Sequence, residues 1–89
     1  MYGLEKTPKE ITLIFGKRVT QLRKERKMSR EDLANRSGVP ASTLRKFEQT
    51  GMISLESMLK LVKVFNRLEE FEKLLQPNDL ESKRHLFDD

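Results

Sequence analysis

The chain has 89 residues and a net charge of +4, with apolar and charged side chains each at 36%. That length holds one small core, and no apolar run reaches the span of a bilayer or resembles a secretion signal. With no cysteine, disulfides and thiolate metal sites are excluded, and a cytoplasmic location is the simplest expectation. Charge is unevenly spread. Residues 1–68 carry fifteen Lys and Arg against seven Asp and Glu, whereas residues 69–89 carry three against seven. A basic body suits a polyanion, because neutralising phosphates releases condensed counterions. A merely solvated surface would have the same composition, so only a motif can decide between them.

Residues 1–6 show no periodicity. Thr7-Pro8-Lys9-Glu10 then supplies a helix start: a threonine cap, a proline in the first position, and a glutamate three residues after the cap. Ile11, Ile14, Phe15, Val19 and Leu22 follow at helical spacing, which predicts a first helix out to Arg26. Gly16 within that stripe costs about 1 kcal/mol relative to alanine, and close contact with another helix would explain it. Ser29-Arg30-Glu31-Asp32 repeats the capping signature, with Met28 and Leu33 placed as a hydrophobic staple. A turn at Ser37-Gly38-Val39 leads to a third helix, from Ala41 to Gln49, stopped by Gly51.

Ser54 caps a fourth helix, with Ile53 and Met58 as its staple and Asn66 as its end. Its expected buried face is Leu55, Met58, Leu59, Val62 and Phe65. Leu68, Phe71, Leu74 and Leu75 line a short fifth helix, stopped by Pro77. Residues 76–89 are polar and aperiodic and are expected to form a flexible acidic tail. The expected architecture is all-α: five helices in a compact domain over residues 7–75, with no strand signal and no internal repeat.

The most specific stretch is Arg30 to Gln49, REDLANRSGVPASTLRKFEQ. It reads as two short helices joined by a tight turn. Ala34 is small where the helices must approach, and Gly38 suits a backbone position with positive φ. Leu33, Val39, Leu44 and Phe47 form an apolar wedge that sets the interhelix angle. This is the pattern of a helix-turn-helix, whose second helix enters the major groove.

From about Ile11 to Phe65, and above all in SREDLANRSGVPASTLRKFE, the chain resembles the Cro/cI-type (XRE) helix-turn-helix family of phage and bacterial repressors. The resemblance implies a lambda-repressor-like fold and a regulator that binds double-stranded DNA. The stretch FEQTGMISLESMLKLVKVFNRLEEFEKLL is also similar to antitoxin subunits of HipA/HipB-type modules. That implies a second reading, in which the protein neutralises a HipA-like kinase and binds DNA for autoregulation.

With the third helix in the groove, Ala41, Ser42, Arg45 and Lys46 are the candidates to face base edges. Arg45 is the leading one, since a guanidinium takes guanine O6 and N7 together, whereas the Ala41 methyl suits thymine and Ser42 specifies weakly. Arg30, Thr43 and Lys46, with Arg18 behind them, are assigned to phosphates, which set register without reading sequence. Two positions depart from the family pattern: Pro40 stands where many relatives carry a Ser or Thr cap, and Ser37 where an apolar residue is common. The resemblance also puts Arg23 and Glu48 on facing helices as a structural salt bridge.

Catalysis finds little support. His85 is the only histidine and lies in the expected tail, adjacent carboxylates such as Glu31/Asp32 and Glu69/Glu70 diverge on their helices, and no glycine-rich phosphate loop exists. No enzyme activity, metal or cofactor is expected. The Leu68/Phe71/Leu74/Leu75 stripe is either the seam of a homodimer or the closure of the monomer core. A homodimer would set two recognition helices roughly 34 Å apart on one DNA face. In the antitoxin reading, the acidic tail with Leu86-Phe87 docks on a basic toxin.

Overall fold

The computed structural model describes residues 5–77. Three helix starts are fixed by a side chain that satisfies an otherwise orphaned amide. Helix α1 (Pro8–Glu25) begins at Thr7, whose hydroxyl accepts from the Glu10 amide at 3.1 Å while the Glu10 carboxylate accepts from the Thr7 amide at 2.9 Å. Helix α2 (Arg30–Ser37) begins with the same reciprocal pair between Ser29 and Asp32, at 3.0 and 2.9 Å. These bonds hold the Glu10 and Asp32 carboxyls below their usual pKa, the backbone amide at the cap being the larger influence in both. Helix α4 (Leu55–Val64) begins at Ser54, which accepts from the Ser57 amide at 3.1 Å. Helix α3 (Ala41–Thr50) starts behind Pro40 with no side-chain cap, and so does the five-residue α5 (Leu68–Glu72), behind Arg67.

Helix ends follow the backbone's left-handed exits. Gly38 ends α2 at φ 83°, with its amide on the Ala34 carbonyl at 2.8 Å, and Gly51 ends α3 at φ 79°. Asn66 has φ 62° after α4. Two further left-handed residues carry no glycine or asparagine signal: Lys27, in the link from α1 to α2, and Leu75.

The core is built where α1, α2, α3 and α4 converge. Val19, Met28, Leu33, Val39, Leu44, Phe47, Met58, Leu61, Val62 and Phe65 are all buried. Both members of the Met28/Leu33 staple lie inside it, and so does the apolar wedge of the helix pair. Helix α1 packs on α3, α2 packs on α3 and α4, and α4 carries α5. The α1–α3 approach is close enough that a Cβ on Gly16 would lie 2.5 Å from the Phe47 carbonyl oxygen. That contact explains a glycine in the middle of an 18-residue helix.

Two expectations need correction. Leu55 is 68% exposed, and Leu61, absent from the predicted face, is fully buried. The buried residues of α4 are therefore Met58, Leu61 and Val62, continued by Phe65 at its C-cap. The fifth helix also stops sooner than its apolar spacing predicts. It ends at Glu72, Lys73 to Leu75 form a turn, and Leu75 is 99% exposed. Its Phe71 reaches back to Phe15 of α1, edge to face, with ring centroids 6.3 Å apart. Of the expected tail, only Gln76 and Pro77 are described; His85 and Leu86-Phe87 lie outside the described residues.

Candidate nucleic-acid interface

Helix α3 has one fastened side and one open side. Leu44 and Phe47 are buried against the rest of the fold, while Ser42, Arg45, Lys46 and Gln49 are exposed, and Ala41 and Thr43 are half-buried. Two basic residues and a hydroxyl are thus held outward by two apolar anchors, with α2 crossing alongside. Pro40 sets φ at −58° before the first turn and gives no oxygen to the first-turn amides, so these are not occupied by a side-chain cap. Ser37 is accommodated in the turn because its hydroxyl accepts the Val39 amide at 3.0 Å.

Behind this face lies a buried ionic cluster centred on Glu48, whose side chain is 3% exposed. Arg23 of α1 donates through Nε to Glu48 Oε2 at 2.9 Å and through Nη2 to Oε1 at 3.0 Å. Its remaining Nη1 donates to the Met28 carbonyl at 2.9 Å. Arg30, the first residue of α2, donates through Nε to the same Glu48 Oε1 at 3.0 Å. Burial pushes the Glu48 carboxyl upward, but the hydrogen bonds and charges of Arg23 and Arg30 outweigh it, and its pKa lies below the ordinary value. Among the described residues no buried side-chain nitrogen or oxygen is left without a partner. One carboxylate on α3 therefore ties together α1, α2 and α3, the three elements that set the pose of the open face.

The remaining basic candidates separate by position. Arg18 lies about 200° around α1 from Gly16, the residue that touches α3. It lines a cleft of about 210 Å³ between α1, α4 and α5, together with Phe15, Leu22, Phe65 and Phe71. It is on the side of α1 turned away from α3. The α1 cations beside α3 are instead Lys17 and Lys24, which with Gln21 line a shallow groove reaching Glu48. The signal for them was the spacing from Gly16 and Arg23 along α1, which becomes useful only once the face meeting α3 is known. The Arg30–Glu48 link was also missed, because eighteen residues separate its partners and only the interhelix angle joins them.

On the α5 side, Phe71 belongs to the core edge, whereas Leu74 and Leu75 are exposed and Leu68 is more than a third exposed. Arg67 pairs with Glu70, and Lys73 with Glu69 at 3.1 Å, both at the surface. Among the described residues, no helix is long and apolar enough to cross a membrane.

A second helix anchored by its apolar side, with its basic side left open beyond a glycine turn, defines a helix-turn-helix module. The Helix-turn-helix family model matches residues 19–72, well over half of the chain. The chain belongs to the Cro/cI-type (XRE) helix-turn-helix family and is a DNA-binding regulator of that type, a family of DNA-binding rather than enzymatic domains. Comparison with curated proteins and with solved structures gives no match.

Proposed function

We propose that this regulator is a repressor that binds a palindromic operator as a homodimer, with α3 in the major groove. The observation that carries this reading is the polarity of α3: Ser42, Arg45 and Lys46 stand outward while Leu44 and Phe47 hold the opposite side. Arg45 is the proposed guanine reader, with Ala41, Ser42 and Lys46 completing the base-facing set. Arg30, Thr43 and Lys46 are the proposed phosphate contacts; Arg18, turned toward α5, is not carried into the interface. The acting unit is residues 7–75. Exposed Leu74 and Leu75, with Leu68, supply an apolar patch suited to joining two copies. Selection of genomic fragments by the purified protein at physiological salt should enrich a two-fold-related site. The Arg45→Ala/Lys46→Ala variant should lose that selectivity while remaining folded. Equal affinity for every duplex tested would overturn the repressor reading.

The antitoxin reading draws on the same leucines, which stand beside exposed Glu69, Glu70 and Glu72 and would suit a basic partner such as a HipA-like kinase. It predicts that the Arg45→Ala/Lys46→Ala variant still captures such a kinase. Failure of a HipA-like kinase co-expressed with this chain to co-purify with it would remove that reading.

A further inference from the structure

We infer that Glu48 is a positioning residue for DNA binding: its Oε1 anchors the Nε of Arg30 so that the two terminal amino groups of that guanidinium are presented to a backbone phosphate. This rests on the phosphate role proposed for Arg30. The two arginines on Glu48 are used differently. Arg23 is spent inward, all three of its nitrogens donating to Glu48 or to the Met28 carbonyl. Arg30 gives the cluster only its Nε, its side chain is 36% exposed, and neither terminal nitrogen donates to another of the described residues. A guanidinium is planar, so fixing one edge fixes the direction of the other nitrogens. Two positive charges share one carboxylate, which leaves the cluster with an unspent positive charge at its outer end. In the capping box the Ser29 hydroxyl accepts the Asp32 amide and the Asp32 carboxylate accepts the Ser29 amide, so the box itself brings no positive charge to a phosphate. Arg30 is the cation of that turn, and Glu48 sets its aim.

The test is binding of the full chain to a fluorescein-labelled mixed-sequence duplex across a salt titration, with circular dichroism to confirm folding. Glu48→Gln removes a negative charge near the DNA face. A purely structural Glu48 therefore leaves affinity unchanged or raises it, whereas a positioning Glu48 lowers it. The expected result is a fall of roughly three- to tenfold, the scale of one misaligned charge-assisted hydrogen bond. That fall should vanish in an Arg30→Ala background. Undiminished binding by folded Glu48→Gln overturns the inference. Should Glu48→Gln fail to fold, Arg30→Lys decides, since it leaves the Arg23–Glu48 pair intact. Lysine keeps the charge but has one nitrogen for two acceptors, so affinity should fall with an unchanged salt slope. Wild-type affinity in Arg30→Lys overturns the inference. The outcomes remain separable from those of the broader reading: if Arg30→Ala binds like wild type, the phosphate role itself is gone, whatever Glu48→Gln does.

Discussion

The α1–α3 joint and the α4–α5 end are made in opposite ways. At the joint, backbone meets backbone: a Cβ on Gly16 would press on the Phe47 carbonyl, and one on Gly51 would lie 2.6 Å from the Thr12 carbonyl carbon. A buried guanidinium–carboxylate cluster locks the same contact from its other end. The α5 end has a five-residue helix without a side-chain cap, one aromatic contact to α1, and surface ion pairs of the kind that contribute little. The joint is specified by exclusion, since almost nothing else fits there. The far end is held by its packing on α4, by Phe71 at the core edge and by a short turn. The tightest contacts are thus where the angle of α3 is set, and apolar surface is left exposed at the α5 end.

Arg23→Ala should have the largest effect, because it leaves Glu48 buried with much of its compensation gone, a loss of about 3–5 kcal/mol. A thermal melt reads it, and a wild-type midpoint would show that the cluster does not govern the joint. Gly16→Ala comes next, with an expected loss of about 1–3 kcal/mol as α1 and α3 are forced apart. Denaturant unfolding at unchanged slope measures this loss, and a neutral result would mean that α1 slides freely over Phe47. A third expectation concerns acid. The Glu48 carboxyl is depressed in the fold, so its contribution is present above the unfolded carboxyl value near pH 4.3 and is lost as pH falls through the folded value. Wild type should therefore lose stability below about pH 4, and Glu48→Gln should show a flatter acid limb. Equal limbs would assign acid sensitivity to other carboxyls. The smallest effect is Leu75→Ser, which should change the melt by less than about 0.5 kcal/mol because the side chain touches almost nothing. The same change should weaken self-association in sedimentation; an unaltered dimer would move the seam elsewhere.

Most of the helix boundaries were legible because their causes are local. Thr7, Ser29 and Ser54 each announce a start through an oxygen three residues from its amide, and Gly38, Gly51 and Asn66 announce ends through a permitted positive φ. Lys27 adopts the same geometry with no residue-type signal, held instead by the Met28 amide on the Arg23 carbonyl at 2.9 Å. Burial within α4 was misread for a different reason. Leu55, Leu59, Leu61, Val62 and Val64 make that helix apolar on several sides, so spacing alone cannot choose the arc or say where along the axis the core begins. The α5 stripe failed similarly, as helical spacing continued past the residue at which the chain turned away. For the interface, the local pattern identified α3 and its outward residues, but which α1 cations flank it depends on how Gly16 meets Phe47. Arg18 and Lys17 are neighbours in sequence and lie on different grooves of the fold.

The shared carboxylate sets a rule for building chimeras. Grafting only residues 29–50 onto another scaffold would strand Glu48 without Arg23 and remove the Gly16 notch in which Phe47 rests. A transplant that keeps the pose of α3 must bring α1 along, so the two-helix motif is not by itself a portable cassette.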